Sequence, residues 1–202
     1  MSLNSKPSLS FWYDFASTYS YVAAMRIEDM AKVSGVTVNW KPFLLGPVFA
    51  AQGLADSPFN IYPIKGANMW RDMARICERE NIPLQRPGIF PANSVLAAKL
   101  AMVGGVDGWI AGFSRAVYTA NFAHNQDISK SETLIEILTS MGLNPQEVFE
   151  RANGPEGAGL RQQTEDAIKN GVFGAPSFQV GAELFWGNDR LEHAIDWALS
   201  HR

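Results

Sequence analysis

"SLSFWYDFASTYSYVA", residues 8–23, changes its periodicity half-way along. Leu9, Phe11 and Tyr13 alternate with Ser10 and Trp12, the pattern of a strand covered on both faces. From Tyr19 the apolar residues Tyr19, Ala23, Ile27, Met30 and Ala31 recur at helical spacing, and Gly35 stands where a helix would close. The stretch "VTVNW", 36–40, resumes strand alternation. A β-α-β unit of this length has parallel strands and a right-handed crossover. At its first junction, Asp14 to Tyr21, a strand runs almost directly into a helix. Such a turn presents free backbone N–H groups and the positive end of the helix dipole.

The rest of the chain has a different grain. Residues 47–154 carry helical stripes and almost no strand signal: Met69, Met73, Ile76 and Cys77; Trp109, Phe113, Ala116 and Val117; Leu134, Ile137, Leu138 and Met141. Start signals are expected at Asn93-Ser94, at Ser129 and at Asn144-Pro145. Residues 52–66, "QGLADSPFNIYPIKG", read as loop. "GPEGAGLRQQTEDAIKNG", 154–171, is one more helix closed by Gly171. "PSFQV" and "ELFWG" then flank Gly181-Ala182 as a β-hairpin. In the closing helix, Asp189 with Glu192 three later reads as an Asp form of the capping box. Removing the helical block leaves βαβ-αββα, the order of a thioredoxin-like domain. The expected architecture is α/β: a thioredoxin-like domain from 1–46 and 155–202, with an all-α insertion from 47–154.

Composition narrows the function classes. The 202 residues are 47% apolar and 18% charged, as in a globular protein with a sizeable core. A formal charge of −3 without basic runs argues against nucleic acid as partner. Every apolar stretch is broken well short of the ~20 residues a membrane helix needs. The N-terminus lacks the apolar core of a secretory signal. The single cysteine, Cys77, has no partner for an internal disulfide and lies on a helical stripe, so it reads as a buried core thiol in a cytoplasmic protein. His124 has no partner at metal-ligand spacing, no metal site is expected, and Met69, Trp70 and Met73 read as core.

Three motifs carry possible chemistry. In a thioredoxin-like domain the first βα turn is the active site, because a helix N-terminus stabilises a thiolate there. Here it holds Ser17-Thr18-Tyr19-Ser20 and no sulfur. Ser17 is equally well placed to cap the helix. Pro176 in "FGAPSF" stands before a strand where this fold holds a cis peptide, a form found in only about 5% of X–Pro bonds. An ordinary trans proline is the plain alternative. Asn188 and Asp189 in "FWGNDRLE" could hold the carboxylate and the ammonium of an amino-acid terminus, or simply cap the last helix. Lys65, read as a loop residue before a helix, could meet an anion.

Taken together, "FWYDFASTYSYVA", "WKPFLLGPVF", "IKGANMWRDMAR", "GIFPANS", "GVFGAPSF" and "LFWGNDRLE" resemble, in order and over nearly the whole chain, the 2-hydroxychromene-2-carboxylate isomerase family, which groups with the kappa-class glutathione transferases. The resemblance implies glutathione as cofactor. Ser17 matches the family's catalytic serine, whose hydroxyl hydrogen-bonds the glutathione sulfur. Ala175, before Pro176, would pair through its backbone with the cysteinyl part. Asn188 and Asp189 would hold the γ-glutamyl end, and Lys65 a carboxylate. Asn60 and Asn93 are candidates for the substrate side. The implied reaction is cis–trans isomerisation of 2-hydroxychromene-2-carboxylate or a similar aromatic-degradation intermediate, in a homodimer. Thr18 stands where many members have Pro. The 52–60 loop lacks the family's Gly-Asn-x-Pro-Pro pattern, which leaves its ligand contacts open. A kappa-like transferase that consumes glutathione and a non-enzymatic peptide- or thiol-binding module are the other readings. A dithiol oxidoreductase that needs an internal cysteine pair is excluded.

Overall fold

The computed structural model describes residues 6–201; the reading of the extreme N-terminus as lacking a signal core lies outside them. Strand β1 (Ser8–Tyr13) leads into helix α1 (Thr18–Ser34) and strand β2 (Thr37–Pro42). Helices α2 (Leu45–Ala51), α3 (Pro58–Ile61), α4 (Pro63–Glu80), α5 (Val95–Asp107), α6 (Ile110–Phe122), α7 (Ser131–Ser140) and α8 (Pro145–Asn153) follow. Helix α9 (Pro155–Lys169), strands β3 (Ser177–Val180) and β4 (Glu183–Trp186), a short 3-10 turn (Asn188–Arg190) and helix α10 (Leu191–Ser200) close the chain.

The sheet order is β2-β1-β3-β4, with β1 parallel to β2, and β3 antiparallel to both β1 and β4. This is a thioredoxin-like α/β fold. Phe11 is opposite Trp40 on one side and Phe178 on the other, so the central strand is lined by rings that stack or meet edge-on. Leu9, Phe11 and Tyr13 enter the main core with α1 and α10, whereas Trp12 joins Phe43, Val48, Ala167 and Val172 beneath the opposite face. The alternation in "SLSFWY" thus feeds two apolar layers, as period-two geometry requires.

Gly35 terminates α1 at φ 70°, and its N–H bonds back to Ala31 and Lys32. Asn144 caps α8, with Pro145 in its first turn. Other sequence expectations are corrected. Residues 52–66 are not loop throughout: Pro58 and Pro63 each open a helix, because a proline's missing N–H costs nothing in a first turn. Lys65 therefore lies inside α4 rather than in a loop. Ser129 caps nothing; its hydroxyl donates to Asp127 Oδ1, and α7 starts at Ser131. The Asp189–Glu192 capping box does not form, since 188–190 wind as 3-10 turn and α10 begins only at Leu191.

Helix α6 ties the helical segment to the end of β1. Tyr118 Oη donates to the Asp14 carbonyl (2.9 Å), Asn121 Nδ2 to the Phe15 carbonyl (3.5 Å), and Tyr13 Oη and Ser114 Oγ are 2.7 Å apart. These buried groups hold the backbone of the first βα turn from behind.

Candidate functional site

The turn is built by Asp14. Its Oδ1 accepts from Ala16 N (2.9 Å) and its main-chain carbonyl from Ser17 N (2.9 Å), which folds the chain sharply into α1. Asp14 Oδ2 accepts from Leu45 N (2.7 Å), and the Ser94 hydroxyl also bonds the carboxylate. One buried side chain thus joins the β1–α1 turn to the starts of α2 and α5. Burial raises the Asp14 carboxyl above its ordinary range, and these hydrogen bonds only partly offset it. Asp14 was not singled out from the sequence; an Asx residue three positions before a helix cap was the available signal.

Ser17 is the N-cap of α1. Its Oγ accepts from Ser20 N (3.2 Å) and donates to the Ala175 carbonyl (3.0 Å), which precedes a cis bond to Pro176. The expected cis peptide is therefore present and faces the first turn. A second cis bond, Phe90–Pro91, was not anticipated. Gly187 N donates to the Pro176 carbonyl (3.0 Å), which brings the 187–190 turn to the same place. Gly187 has φ 111°, and a Cβ there would lie 2.6 Å from Asp189 Oδ1. Only glycine lets the Asp189 carboxylate fold over this turn.

These segments border one cleft of about 1550 Å³. Its apolar lining includes Leu44, Phe49, Leu54, Phe59, Phe90 and Val95. Its polar lining includes Ser17, Arg26, Asn188 and Asp189. Lys65, Ala175, Pro176 and Asn93 also line it, whereas Asn60 does not. Asn60 Nδ2 instead bonds Asp56 Oδ2 (3.0 Å) and the Phe90 carbonyl (3.4 Å), so it ties α3 to the 88–95 segment. Asn93 has its Oδ1 on Val95 N (3.1 Å), at the head of α5.

The cleft's cations differ in what they already hold. Arg26 pairs with Glu80 and Glu192, Arg79 with Glu80, and Arg190 with Asp189. Lys65 has no carboxylate partner among the described residues; its Nζ sits 4.7 Å from the Tyr62 ring centroid. Tyr19 also lines the cleft, with its hydroxyl bonded to Asp72 Oδ2 (3.0 Å). Burial first, and then Asp72, push that phenol well above its ordinary value, so Tyr19 holds its proton. Cys77 is buried in the main core and outside this lining. No group of His, Cys, Asp or Glu among the described residues has metal-site geometry. No described helix is long and apolar enough to cross a membrane.

The family model of the DSBA-like thioredoxin domain matches residues 8–196. The chain belongs to that family. Among curated proteins, a 2-hydroxychromene-2-carboxylate isomerase of Sphingobium xenophagum is 28% identical and covers 95% of this chain and 98% of its own. Glutathione S-transferase kappa 1 of Caenorhabditis elegans is 23% identical, over 94% of this chain and 90% of its own. A solved 2-hydroxychromene-2-carboxylate isomerase structure superposes with TM-score 0.85 at 24% identity, covering 96% of this chain and 94% of its own. The DSBA-like relatives thus include enzymes of more than one reaction class, and the fold alone does not choose between them.

Proposed function

We propose that this protein is a glutathione-dependent cis–trans isomerase acting on 2-hydroxychromene-2-carboxylate or a similar aromatic-degradation intermediate. The observation that carries this reading is the position of Ser17: a hydroxyl at the head of α1, 3.0 Å from the carbonyl before the cis proline, where a redox relative would need sulfur. The relatives named isomerase, matched over nearly the full chain, support the reaction class.

The residues fit glutathione by the chemistry they present to the cleft. Ala175 presents backbone groups beside Ser17, Asp189 offers a carboxylate that is 72% exposed, and Lys65 offers an ammonium with no carboxylate partner among the described residues. When bound, glutathione would supply a sulfur nucleophile whose reversible addition lets a conjugated double bond rotate. Ser17 and the α1 N-terminus would favour the thiolate over a thiol whose free pKa is about 8.5. Lys65 would hold a carboxylate. The apolar wall from Phe49 to Phe90 would exclude water and seat an aromatic ring. A pair of copies is part of the proposal, checked by sedimentation.

The test is product analysis with a chromene carboxylate and glutathione. Turnover to the trans isomer with glutathione fully recovered supports the isomerase. Stoichiometric loss of glutathione points to a kappa-like transferase. Binding without turnover of any substrate leaves only a binding module.

A further inference from the structure

Three helices begin around the Asp14 carboxylate. Oδ1 accepts from Ala16 N in the turn into α1, and Oδ2 accepts from Leu45 N at the first residue of α2. The Ser94 hydroxyl, at the head of α5, makes the third bond. Neither α2 nor α5 has a side-chain cap of its own: Leu44 has nothing to offer, and the Ser94 side chain makes no capping bond to α5. The main chain of the same residue faces the nucleophile. Its carbonyl accepts from Ser17 N at 2.9 Å and from Tyr118 Oη at 2.9 Å. Asp14 is only 4% exposed and its carboxylate is engaged by three donors, so it acts through what it holds.

In the proposed reaction, Ser17 at the head of α1 sets the glutathione sulfur. The ring is seated on apolar lining that other elements carry, with Phe49 on α2 and Phe90 and Val95 around the start of α5. Nucleophile and ring therefore ride on separate helices. Addition needs the reacting atoms at about 3–3.5 Å with orbitals aligned, and a misplacement of about 1 Å costs on the order of a hundredfold in rate. Lys65 sits on α4 and Ala175 beside the cis bond, outside the elements that Asp14 joins. Ligand binding is thus separable from alignment.

We infer that Asp14 is a positioning residue for the reaction: by fastening the starts of α2 and α5 to the Ser17 turn, it fixes the approach of the seated ring to the glutathione sulfur. This rests on the isomerase reading and goes beyond it by naming the residue that sets the alignment, rather than one that holds either ligand.

The experiment leaves Asp14 in place and removes one of its donors at a time. Ser94→Ala takes away the hydroxyl, and α5 loses no side-chain cap because Ser94 gives it none. Leu45→Pro removes the N–H on Asp14 at the first position of α2, where proline is tolerated. Leu44 before it already has the extended backbone that precedes a proline, φ −109° and ψ 122°. Both kcat and KM for a chromene carboxylate are measured, together with the glutathione Kd by titration calorimetry. In each variant kcat is expected to fall about tenfold or more. KM and the glutathione Kd should stay within about threefold of the unaltered protein. Ser94→Thr, which restores the hydroxyl, should recover most of the rate. Unchanged kcat in folded Ser94→Ala, a loss that appears in the glutathione Kd instead, or a Ser94→Thr variant as slow as Ser94→Ala would each overturn the inference. The serine variants decide it even where Leu45→Pro does not fold. A protein that consumes glutathione replaces the isomerase reading with the transferase one, and the same comparison is then made on conjugation of chlorodinitrobenzene. If the unaltered protein turns over neither substrate, the reading falls and the inference falls with it.

Discussion

Ser17 Oγ sits between two partners, accepting from Ser20 N at 3.2 Å and donating to the Ala175 carbonyl at 3.0 Å. Cap and active-site donor, which the residues alone leave as alternatives, are therefore compatible in one side chain. A hydroxyl has one proton and two lone pairs. Capping uses a lone pair and leaves the proton free to be directed. Here the proton rests on the carbonyl that, in the proposed complex, pairs with the cysteinyl N–H of glutathione. That N–H would replace the hydroxyl at Ala175 and release the Ser17 proton for the sulfur.

This separation of roles can be measured. Ser17→Ala loses both bonds and is expected to lower stability by about 1–2 kcal/mol. It should also abolish the thiolate absorbance that glutathione gains on the unaltered protein. Ser17→Asp keeps a good cap but carries no proton and adds a negative charge. Its melting temperature should stay closer to wild type while its thiolate signal is absent. A thiolate signal in Ser17→Asp equal to wild type would show that the helix terminus, not the hydroxyl, does the work.

Gly187→Ala is expected to be costly although the site is at the surface of the cleft. Its φ of 111° is closed to alanine, and the new Cβ would meet Asp189 Oδ1 at 2.6 Å. About 1–3 kcal/mol of strain should appear in chemical denaturation. Because Asp189 must move to relieve it, glutathione affinity should fall as well. Unchanged affinity alongside lost stability would separate Asp189 from the ligand.

The strands, the hairpin, α1 and three of the segments that line the cleft were legible because each is a local pattern: alternation in "SLSFWY", a serine before a helical stripe, a proline before a strand. What was not legible depends on distance. Nothing near Arg26 or Asn188 announces their contact, and nothing near Asn60 reveals that its amide is spent on Asp56 and Phe90. Turn residues misled in 52–66, where Pro58 and Pro63 start helices instead of preventing them. Asp189 and Glu192 have capping-box spacing, but Gly187 feeds a 3-10 turn first.

Asp14 gives a pH signature. Its folded carboxyl is raised above the ordinary 3.8 by burial, so the stability it contributes is full below that value and is lost as pH rises through the folded pKa. Asp14→Asn removes this titration and, with one good acceptor instead of two, gives up a bond to Ala16 or Leu45. The advantage of wild type over the variant should be largest below the ordinary carboxyl value of 3.8 and shrink as pH rises above it. A gap that does not change with pH would mean that the group does not titrate in that window.

Lys65→Met tests the anion side of the cleft. Lys65 is the lining cation with no carboxylate partner among the described residues, so its removal leaves no buried charge behind and should barely change stability. KM for a carboxylate substrate should rise roughly three- to tenfold, with kcat nearly constant, because binding in the ground state and the transition state is lost alike. A fall in kcat at constant KM would instead put Lys65 at the reacting atoms.

Cys77 should be silent. It is 2% exposed within the main core, and burial pushes its thiol up to about 11, so at neutral pH it is neither a thiolate nor accessible. An aromatic disulfide reagent should fail to label the native protein and should label it with one equivalent after unfolding, since the chain has a single cysteine. Cys77→Ala should retain isomerase turnover while losing about 1–2 kcal/mol of packing. Rapid native labelling, or turnover that disappears with the thiol, would move the chemistry from Ser17 to Cys77 and overturn the thiol-free reading of the first turn.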